Sequence, residues 1–573
     1  MKFSRSGHVL LLSGLVLSLA VAACTTDDVA SPPGEAPDSP EAESGSVAEP
    51  LHAHGGQGRF MWWRFERARR QAAFDAYLAT NAEDYTSFKN APLGSSGIPM
   101  VMLRLFPDLF PGIWGQPSEA FAPVGLASDD LEPGRVLPLG LGFTGVPFPT
   151  PNGPVSINVV NLTCAGCHTG RVEGANGVAR SVLGAPSTTF TRFRGAVFAT
   201  VTSPSYTPEN FRAALLAKPA GFLYGDPALA DQENLERGLF LAPGGAEALL
   251  GALKARSIAG AQRFAATLGT YTYAPTPNAP DPTGSTPGYL DAIGAGIAVA
   301  LDPALTPEQM KAAVPPLPAM IDIMSVWNQA NRPFAQWDGS ITTKLHRNLA
   351  AEFGVVGDPT KVSMDNAIRT TRLTEHMPSP PYPFDVARDG VARGADLYGK
   401  YCASCHTPGG SAMSFTPAQA GTDPNRAMIW TPMNMAVIRG ALRIACTDPV
   451  ACNQADGTPV PDEQIIRNTG TYLAPPLDGI WARAPYLHNG SVPTLRALLT
   501  KVRPAQFYRG NVRYDQKAVG FVSEVATGSA ALYDTTKSGN SNAGHDTAAF
   551  LGDIDWSADS AKTNDLLEYM KTL

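Results

Sequence analysis

Two segments of this chain, "CAGCH" at 164–168 and "CASCH" at 402–406, repeat one unusual arrangement of cysteine and histidine. Positions i and i+3 lie on one face of a helical turn, about 5–6 Å apart. Two sulfurs at this spacing can form thioethers to the two vinyl groups of one haem, and the next histidine can bind the iron. The spacing therefore predicts two covalently attached c-type haems. The residues that would hold them are Cys164, Cys167, His168, Cys402, Cys405 and His406.

Other uses of paired cysteines fit the sequence less well. A structural zinc site would combine the two pairs as four cysteine ligands, or recruit histidines at other spacings. A thioredoxin-like redox pair does not need the adjacent histidine and would not normally recur in one chain. With seven cysteines and nine histidines in 573 residues, a chance repetition of the whole pattern is uncommon. Haem attachment is the interpretation that uses every cysteine and histidine of both motifs.

The N-terminus resembles a bacterial export signal. Basic residues precede an apolar run that is too short for a membrane-spanning helix. "VAAC" at 21–24 then resembles the lipoprotein cleavage box, in which Cys24 becomes the lipid-carrying N-terminus. We therefore expect a lipoprotein signal peptide at 1–24 and a mature protein held by lipid in the cell envelope. Thr25, rather than an aspartate, favours the outer membrane; an ordinary signal peptide that ends at a cysteine is the alternative.

Composition separates a tether from the folded part. Residues 25–57 are rich in Pro, Glu, Ser and Ala and have little to bury, so we expect a disordered tether. The helical pattern of "FMWWRFERARRQAAFDAYL" places the start of the folded part near Gly58. The 55 glycines and 51 prolines, with only 17% charged residues, predict a loop-rich protein. The net charge of −7 argues against a nucleic-acid partner, whose phosphates favour a basic surface.

The proline-rich stretch "HMPSPPYPFD" at 376–385 is the best position for a domain boundary, because it cannot form a helix or a central strand. After it, a helical apolar pattern leads into the second motif, and the segment at 557–573 predicts a terminal helix capped by Ser557. This is the layout of a small cytochrome c domain. We therefore predict a mainly α, loop-rich fold. It has two cytochrome c-like haem domains with large insertions, at 58–378 and 379–573.

Two further cysteines, Cys446 and Cys452, lie close together in "RIACTDPVACNQ". Closely spaced cysteines in an oxidising compartment usually pair. Closing so short a loop contributes about 2 kcal/mol in the chain-entropy model. We therefore predict a structural disulfide between these two residues, and two free thiols are the alternative.

Longer stretches resemble the bacterial di-haem cytochrome c peroxidase superfamily. "QWDGSITTKLHRNLAAEFG", from Gln336, is similar to the family's "F-W-D-G-R" stretch, and "DGIWARAPYLHNGSVPTLRALL", Asp478 to Leu499, is similar to "A-P-Y-F-H-D-G-S-V". The superfamily includes the enzyme that matures methylamine dehydrogenase and the di-haem rubber oxygenases. "LPLGLGFTG", "PPYPFD" and "GNSNAGHD" look most like the rubber-oxygenase branch. The similarity covers most of residues 130–573.

The resemblance implies that the second haem has a histidine from the C-terminal segment as its other iron ligand. His545, in "GNSNAGHDTAAF", fits this position, and His488, in "YLHNGS", is the runner-up. Each could instead be a hydrogen-bonded loop histidine. Peroxidases commonly use methionine here, but the only methionine after His488 is Met570, inside the predicted terminal helix. The first haem has no evident second ligand, so it is the candidate open site.

Three residues are candidates for catalysis under this resemblance. Trp337 matches the family tryptophan that lies between the haems and helps electrons cross, although a lone tryptophan is usually a core residue. Glu352 and Phe353, in "AAEFG", align with the family's distal-pocket segment. Peroxidases place a glutamate there as the acid–base group for O–O cleavage, whereas rubber oxygenases have an apolar aromatic pocket. Neighbouring side chains diverge, so the sequence leaves open which of the two faces the iron.

The sequence therefore favours a haem-dependent oxidoreductase, whose first haem binds peroxide or dioxygen and whose second haem relays electrons. Glu352 at the iron would favour peroxide reduction with a small redox protein or a quinol-linked donor. Phe353 there would favour dioxygen insertion into an apolar polymer such as a polyisoprene. The competing class is a non-enzymatic di-haem electron-transfer lipoprotein, in which both irons have two protein ligands. A bound calcium ion is a further candidate cofactor.

Overall fold

The fold is mostly helical, with many short helices joined by loops. A computed structural model describes residues 58–126, 130–191, 193–268, 287–290, 306–313, 320–407 and 413–573. The predicted signal peptide with Cys24 and the predicted tether lie outside these residues. Across the described ranges, no helix has both the length and the apolar character that a membrane span requires.

The α-helices of the described ranges are numbered here in chain order. The first ten are α1 Gly58–Thr80, α2 Ala82–Asn90, α3 Met100–Leu103, α4 Phe106–Leu109, α5 Pro111–Trp114, α6 Cys164–Cys167, α7 Phe193–Thr202, α8 Pro208–Leu216, α9 Ala230–Leu241 and α10 Gly245–Leu268. The following ones are α11 Pro307–Ala313, α12 Lys344–Val356, α13 Met364–His376, α14 Arg388–Tyr401, α15 Ala403–His406, α16 Pro417–Ala420, α17 Pro432–Ala445, α18 Asp462–Ile465, α19 Leu495–Thr500, α20 Ala548–Leu551 and α21 Ser560–Met570. Short 3-10 turns lie at Pro117–Glu119, Ala122–Val124, Pro227–Leu229, Gln329–Asn331, Pro359–Lys361 and Ile480–Ala482.

The strands are short and form small antiparallel sheets. They are β1 Ile98–Pro99, β2 Leu141–Phe148, β3 Val155–Leu162, β4 Thr169–Glu173, β5 Ala179–Leu183, β6 Tyr289–Leu290, β7 Ile321–Asp322, β8 Ser414–Phe415, β9 Tyr472–Leu473, β10 Gln506–Arg509, β11 Tyr514–Asp515, β12 Gly520–Phe521 and β13 Ala531–Asp534. The one three-stranded sheet of the described ranges has the order β1-β3-β2, and the others are two-stranded.

Two of these sheets hold the first motif between them. In the three-stranded sheet, Leu141 of β2 pairs with Leu162 at the end of β3. The chain then passes through α6 into β4, whose Thr169 pairs with Leu183 of β5. The four consecutive residues from Ile157 to Val160 and also Leu162 are buried, so the strand that leads into the motif lies in the interior of the protein.

The second motif is held instead by a pair of helices. Helix α14 leads into it, and the terminal helix α21 packs along α14. Gly394 makes the close approach of the helices possible, because a Cβ at this position would lie 2.0 Å from the carbonyl oxygen of Asp565. Leu566, Leu567 and Met570 bury the apolar face of α21. The predicted terminal helix is therefore present.

The predicted cap of that helix is wrong. Helix α21 begins at Ser560, and the side chain of Asp559 accepts a hydrogen bond from the N–H of Lys562 (3.1 Å). Ser557 lies in a preceding turn, where its own N–H donates to Oδ1 of Asp555 (3.0 Å). Both serine and aspartate are good N-cap residues, so the residue type alone did not decide between them.

Apolar side chains form three large buried clusters in the described ranges. The first joins distant parts of the chain, among them Trp63, Trp327 and Leu566. The second surrounds the three-stranded sheet, and the third packs α12 against α17. In the proline-rich stretch, Met377 and Tyr382 are completely buried in the first cluster. Both predicted haem domains thus contribute to one cluster, and the boundary between 378 and 379 stays a prediction.

Candidate haem sites

The first motif forms one turn of helix, α6, between β3 and β4. Thr163 before it has extended backbone, and the N–H of His168 donates to the carbonyl oxygen of Cys164 (3.0 Å). This turn puts Cys164 and Cys167 on one face, with the histidine directly after them. Neither cysteine forms a disulfide, so both sulfurs are free for thioether formation.

The imidazole of His168 is held in one orientation by the main chain. Its Nδ1 lies 2.9 Å from the carbonyl oxygen of Met324, and a carbonyl can only accept, so Nδ1 carries the proton. Burial, with a smaller contribution from the charge of Arg347, lowers the pKa of His168 to about 3. The imidazole is therefore neutral at physiological pH, with the lone pair of Nε2 available to a metal ion.

Glu352 lies near the first motif and is only 1% exposed. Its Oε2 accepts from the N–H of Ser363 (3.0 Å), and its Oε1 accepts from Nδ2 of Asn366 (3.1 Å). The same amide nitrogen is 3.9 Å from Sγ of Cys164, so Asn366 connects the carboxyl group to the motif. Burial raises the pKa of Glu352 to about 9, although both hydrogen bonds lower it. The carboxyl group therefore holds a proton at neutral pH.

Phe353 occupies a different environment from its neighbour Glu352. It is buried in the third apolar cluster, together with Leu349 and Ala367. This cluster contains no residue of either cysteine motif. The two side chains diverge because successive residues of α12 point about 100° apart around the helix axis.

The second motif follows α14 directly. The N–H of His406 donates to the carbonyl oxygen of Cys402 (3.1 Å), and its Nδ1 lies 2.8 Å from the carbonyl oxygen of Pro475. Burial lowers the pKa of His406, so this imidazole is also neutral. The second motif therefore orients its histidine by the same kind of contact as the first.

The ring of His545 lies beside that of His406. The ring centroids are 6.2 Å apart and the ring planes are inclined by 36°. Two histidine nitrogens on opposite sides of one metal ion, each about 2 Å from it, put the ring centroids roughly 6 Å apart. In addition, Nδ1 of His545 is shielded from solvent and has no hydrogen-bond partner in the part of the chain that the structure describes. The pair therefore fits a haem iron bound between the two rings.

The backbone conformation of His545 and its contacts hold the ring beside that of His406. Its φ of 56° is uncommon for a residue other than glycine, and such strain often marks a functional residue. The N–H of His545 donates to the carbonyl oxygen of Ala420 (3.0 Å), and its ring stacks on Phe550 with centroids 5.4 Å apart. Burial, with a smaller contribution from the nearby His406, lowers the pKa of His545 to about 4, so the ring is neutral.

His488 lies elsewhere and makes other contacts. Its Nε2 is 3.2 Å from the hydroxyl oxygen of Tyr472, and the two rings stack with centroids 4.2 Å apart. Burial lowers the pKa of His488 to about 3. The structure thus brings His545 to His406, and it keeps His488 as a hydrogen-bonded loop histidine.

Trp337 lines a small cavity between the two motifs. Its indole N–H donates to the carbonyl oxygen of Asp322 (2.9 Å), which fixes the ring. The cavity measures about 20 Å³, and its lining includes Met324 and Pro475. These are the two residues whose carbonyl groups hold the motif histidines. Trp337 is therefore adjacent to the supports of both sites.

The motif thiols do not have the properties of a redox-active dithiol. Burial raises the pKa of Cys164 and of Cys402 to about 12, and that of Cys167 to about 11. Reactive redox pairs depend on a thiolate whose pKa is lowered. The raised pKa values therefore argue against dithiol redox chemistry at either motif.

Cys446 and Cys452 form a disulfide, with Cα atoms 5.8 Å apart, immediately after α17. No group of three or more His, Cys, Asp or Glu side chains that could hold a metal ion occurs within the described ranges. A bound calcium ion therefore stays a prediction.

Sequence reasoning missed the carbonyl groups that orient the motif histidines. The contact of His168 with Met324 joins residues 156 positions apart, and that of His406 with Pro475 joins residues 69 positions apart. Every residue carries a carbonyl acceptor, so no residue type could mark these two.

Comparison with known proteins finds two partial matches to families. Residues 83–168 match a family described as a Y4iN-like domain, and this match ends at the histidine of the first motif. Residues 470–509 match a family described as RoxA-like, cytochrome c-like. The second segment contains Pro475, whose carbonyl holds His406, and also His488.

Three curated relatives come from Sinorhizobium fredii (strain NBRC 101917 / NGR234), and all are uncharacterized. Protein y4iM is 38% identical over 288 residues, which cover 45% of this chain and 66% of y4iM. Protein y4iJ is 44% identical over 104 residues, which cover 16% of this chain and 17% of y4iJ. Protein y4iN is 34% identical over 126 residues, which cover 20% of this chain and 61% of y4iN. Each alignment thus spans less than two thirds of the relative.

The matches and the site geometry indicate the same general class of protein. A cytochrome c-like segment supports a haem protein with a redox role. The chain therefore carries a RoxA-like, cytochrome c-like segment at 470–509 and a Y4iN-like domain at 83–168, and its relatives are the uncharacterized y4i proteins.

Proposed function

We propose that the protein is an oxidoreductase with two c-type haems, one at each motif, and that the two haems have different tasks. The observation that carries the proposal is an asymmetry between the motif histidines. His406 has the ring of His545 at 6.2 Å, whereas no ring contact of His168 with a second histidine occurs within the described ranges. A bound haem iron with an open position supplies the redox chemistry for peroxide or dioxygen.

The second site is the electron relay in this proposal. His406 and His545 are both partly buried, and burial lowers the pKa of each, so both offer neutral nitrogens. An iron held by two histidines has no position left for a substrate. Trp337, fixed by its indole N–H and lining the cavity between the motifs, provides the aromatic group between the two sites.

The first site is the catalytic one, and Glu352 is its proton-carrying group. The carboxyl group is oriented by Ser363 and Asn366, and Asn366 links it to Cys164. Since burial raises its pKa to about 9, Glu352 can hold and deliver a proton at neutral pH. Peroxide reduction requires such a proton at the leaving oxygen, which favours peroxide as the substrate.

A second candidate is dioxygen insertion into an apolar substrate. The match of residues 470–509 to a RoxA-like, cytochrome c-like family supports it, as does the sequence resemblance to rubber oxygenases. Phe353 does not add support, because it is buried in the third cluster. We therefore rank peroxide reduction first.

The electron donor and the cellular location complete the proposal. A small redox protein or a quinol-linked donor would supply electrons through the second site. Cys24 would carry the lipid that holds the protein on the outer membrane, with peroxide, dioxygen or an apolar substrate arriving from the envelope. Mass spectrometry of the mature N-terminus tests this: an acylated Cys24 is expected, and a free N-terminus at another residue would contradict the anchor.

The first experiment counts haems and open positions in the full chain, matured in an exporting bacterium. Intact mass is expected to show two covalent haems, and the ferric spectrum one low-spin haem and one that binds cyanide. A mass with fewer than two haems contradicts the proposal. Two low-spin haems that are inert to cyanide and peroxide would instead identify an electron carrier.

The second experiment compares turnover of peroxide with oxygen uptake on polyisoprene latex. Glu352→Gln is expected to lower peroxide turnover by about 10²–10⁴, the usual contribution of an acid–base group. Glu236→Gln is the matched control. Glu236 is also buried, accepts from Tyr224 (2.8 Å), and has its pKa raised by burial, but it lies in α9. Oxygen uptake that depends on latex, without peroxide turnover, would replace the first candidate by the second.

A further inference from the structure

Three arginines with incomplete hydrogen bonding are concentrated around the two motifs. Among the described residues, the nitrogens of these arginines without a hydrogen-bond partner are Nε of Arg332, Nε and Nη2 of Arg347, and Nε of Arg483, and all are shielded from solvent. A guanidinium keeps its charge in a protein and carries five N–H donors. A buried charge is costly unless it is paired. These arginines therefore have unused donors that could bind an anion.

Arg332 is anchored next to the support of the first motif. Its Nη1 donates to the carbonyl oxygen of Ser325 (3.1 Å), and its Nη2 donates to the Ser325 hydroxyl (3.3 Å). Ser325 directly follows Met324, whose carbonyl holds His168. Arg332 is 5% exposed and lines the cavity that also contains Cys405 of the second motif. It therefore lies between the two sites.

Arg483 has the corresponding anchor at the second motif. Its Nη1 donates to the carbonyl oxygen of Pro476 (2.7 Å), the residue that follows Pro475. The carbonyl of Pro475 holds His406. The guanidinium also lies over the ring of Trp327, 5.9 Å from its centroid. Each support of a motif histidine is thus followed directly by a residue that holds an arginine.

Arg347, on α12, belongs to the first site. The next residue of this helix, Asn348, donates to the hydroxyl oxygen of Thr371 on α13 (2.8 Å). The hydroxyl oxygen of Thr370, the residue before Thr371, lies 3.2 Å from Sγ of Cys164 of the first motif. After burial, the charge of Arg332 also lowers the pKa values of Arg347 and Arg483, so Arg332 is close enough to act on both.

Acidic side chains do not balance this group. Oδ2 of Asp478 is 4.0 Å from Nη2 of Arg483, and Oδ1 of Asp478 accepts from Asn328 (3.0 Å). Lys344 adds a fourth cation, with its Nζ donating to the carbonyl oxygen of Arg332. Glu375 is the carboxylate that acts on Lys344. Within the described residues, two carboxylates thus face three guanidinium groups and one ammonium group. The missing negative charge has to come from a bound molecule.

We propose that Arg332, Arg347 and Arg483 bind the propionate groups of the two haems. Arg347 serves the haem of the first motif, Arg483 serves that of the second, and Arg332 lies between them and acts on both. Each haem brings two carboxylates, and the planar guanidinium fork matches a carboxylate. This inference rests on the two attached haems of the proposed function, but not on the reaction that they perform.

The test measures the reduction potential of each haem in the full chain by spectroelectrochemical titration. Loss of a nearby positive charge favours the ferric state, so each Arg→Gln variant is expected to lower a potential. A tenfold change in the one-electron equilibrium, about 59 mV, is the expected size. Arg347→Gln should lower the reduction potential of the first haem, and Arg483→Gln should lower that of the second. Arg332→Gln should lower both potentials. The propionate bending band in the resonance Raman spectrum should move for the same haem in each variant.

Arg104→Gln is the matched control. Arg104 is a partly buried arginine whose guanidinium donates to the carbonyl oxygens of Phe222 (3.0 Å) and Val136 (2.9 Å), and burial lowers its pKa too. Its replacement should move neither potential. If a glutamine variant does not mature, Arg347→Lys and Arg483→Lys keep the charge but lose the fork. These variants should shift the Raman band with little change in potential.

The outcomes separate this inference from the proposed function. A wild-type protein without two covalent haems overturns both. Two attached haems with unchanged potentials and unchanged propionate bands in all three glutamine variants overturn only the propionate contacts. Potentials that fall equally in both haems for every variant, including Arg104→Gln, also overturn them, because a general loss of stability would then explain the shift.

Discussion

The two Cys-x-x-Cys-His motifs share their spacing but lie in different kinds of structure. The first sits between two antiparallel sheets, where β3 enters it and β4 leaves it. The second follows α14, which packs along the terminal helix α21. Both motif histidines donate from Nδ1 to a distant carbonyl, at 2.9 Å for His168 and 2.8 Å for His406. The local motif is thus independent of the element that carries it.

The difference lies in what each fold brings to the other side of its histidine. The loop before α20 brings His545 to His406, with a strained backbone and a partly buried ring. Near the first motif, α12 brings Glu352, whose carboxyl group holds its proton, and α13 brings Asn366, which donates to that carboxyl group. The second site therefore offers two histidines to one iron, and the first site has a proton donor next to Cys164.

Removal of His545 is the strongest way to break this difference. In His545→Ala, the second haem is expected to lose its low-spin ferric spectrum and to bind cyanide, so both haems would then be open. Spectroscopic titration with cyanide measures this change directly. His488→Ala is the matched control, because His488 contacts Tyr472 and no motif histidine. A second haem that stays low-spin in His545→Ala would contradict the assignment of this ligand.

Truncation of Phe353 tests whether the role of this residue differs from that of Glu352. Phe353 is buried in the third cluster, so Phe353→Ala is expected to lower the free energy of unfolding by about 3–5 kcal/mol through the cavity that it leaves. Denaturant unfolding measures the loss. The spectrum and the cyanide affinity of the first haem should stay unchanged at low denaturant. A changed cyanide affinity would show that Phe353 lines the first haem pocket after all.

Local and distant features of the sites differ in how far the sequence predicted them. The motif turns, the terminal helix and the Cys446–Cys452 disulfide each depend on residues close in the chain, and the structure contains all three. His545 was named from a family resemblance, and the sequence left His488 open beside it. The structure separates them, because the position of a loop ring depends on contacts such as that with Ala420, which residue type does not encode.

The groups that the sequence did not predict lie far along the chain from the residues that they contact. Met324 and Pro475 contribute only their carbonyls, and the arginines around the motifs are scattered between positions 332 and 483. Glu352 and Phe353 could not be told apart by sequence, because their difference lies in partners from other elements. Ser363 and Asn366 come from the start of α13, and they decide the environment of the carboxyl group.

The protonation of Glu352 predicts a pH dependence that belongs to the first site alone. Burial raises its pKa from 4.5 in the unfolded chain to about 9, so the folded protein binds the proton more tightly. Between these pH values the unfolded state releases the proton and is favoured. Stability relative to Glu352→Gln should therefore fall as pH rises from 5 to 9, by up to about 1.4 kcal/mol per pH unit. Denaturant unfolding of both proteins at several pH values measures the difference. A constant difference would mean that the carboxyl group is already ionised in the folded state.

The helix pair that holds the second motif offers the smallest but most local change. In Gly394→Ala, the new Cβ would lie 2.0 Å from the carbonyl oxygen of Asp565, so α14 and α21 would have to separate. Overpacking of this kind costs about 1–3 kcal/mol. Because α14 leads into the second motif, the second haem spectrum should change and the first should not.

Gly399→Ala, on the same helix, is the control for this change. A Cβ at Gly399 meets no atom within 4 Å, so the substitution should be neutral or add up to about 1 kcal/mol from helix propensity. Thermal melts of both variants, followed at the absorbance of each haem, measure the two effects. Equal shifts of both haems in Gly394→Ala would mean that the first cluster couples the sites into one cooperative unit. A shift confined to the second haem would mean that the two folds around the same motif respond independently.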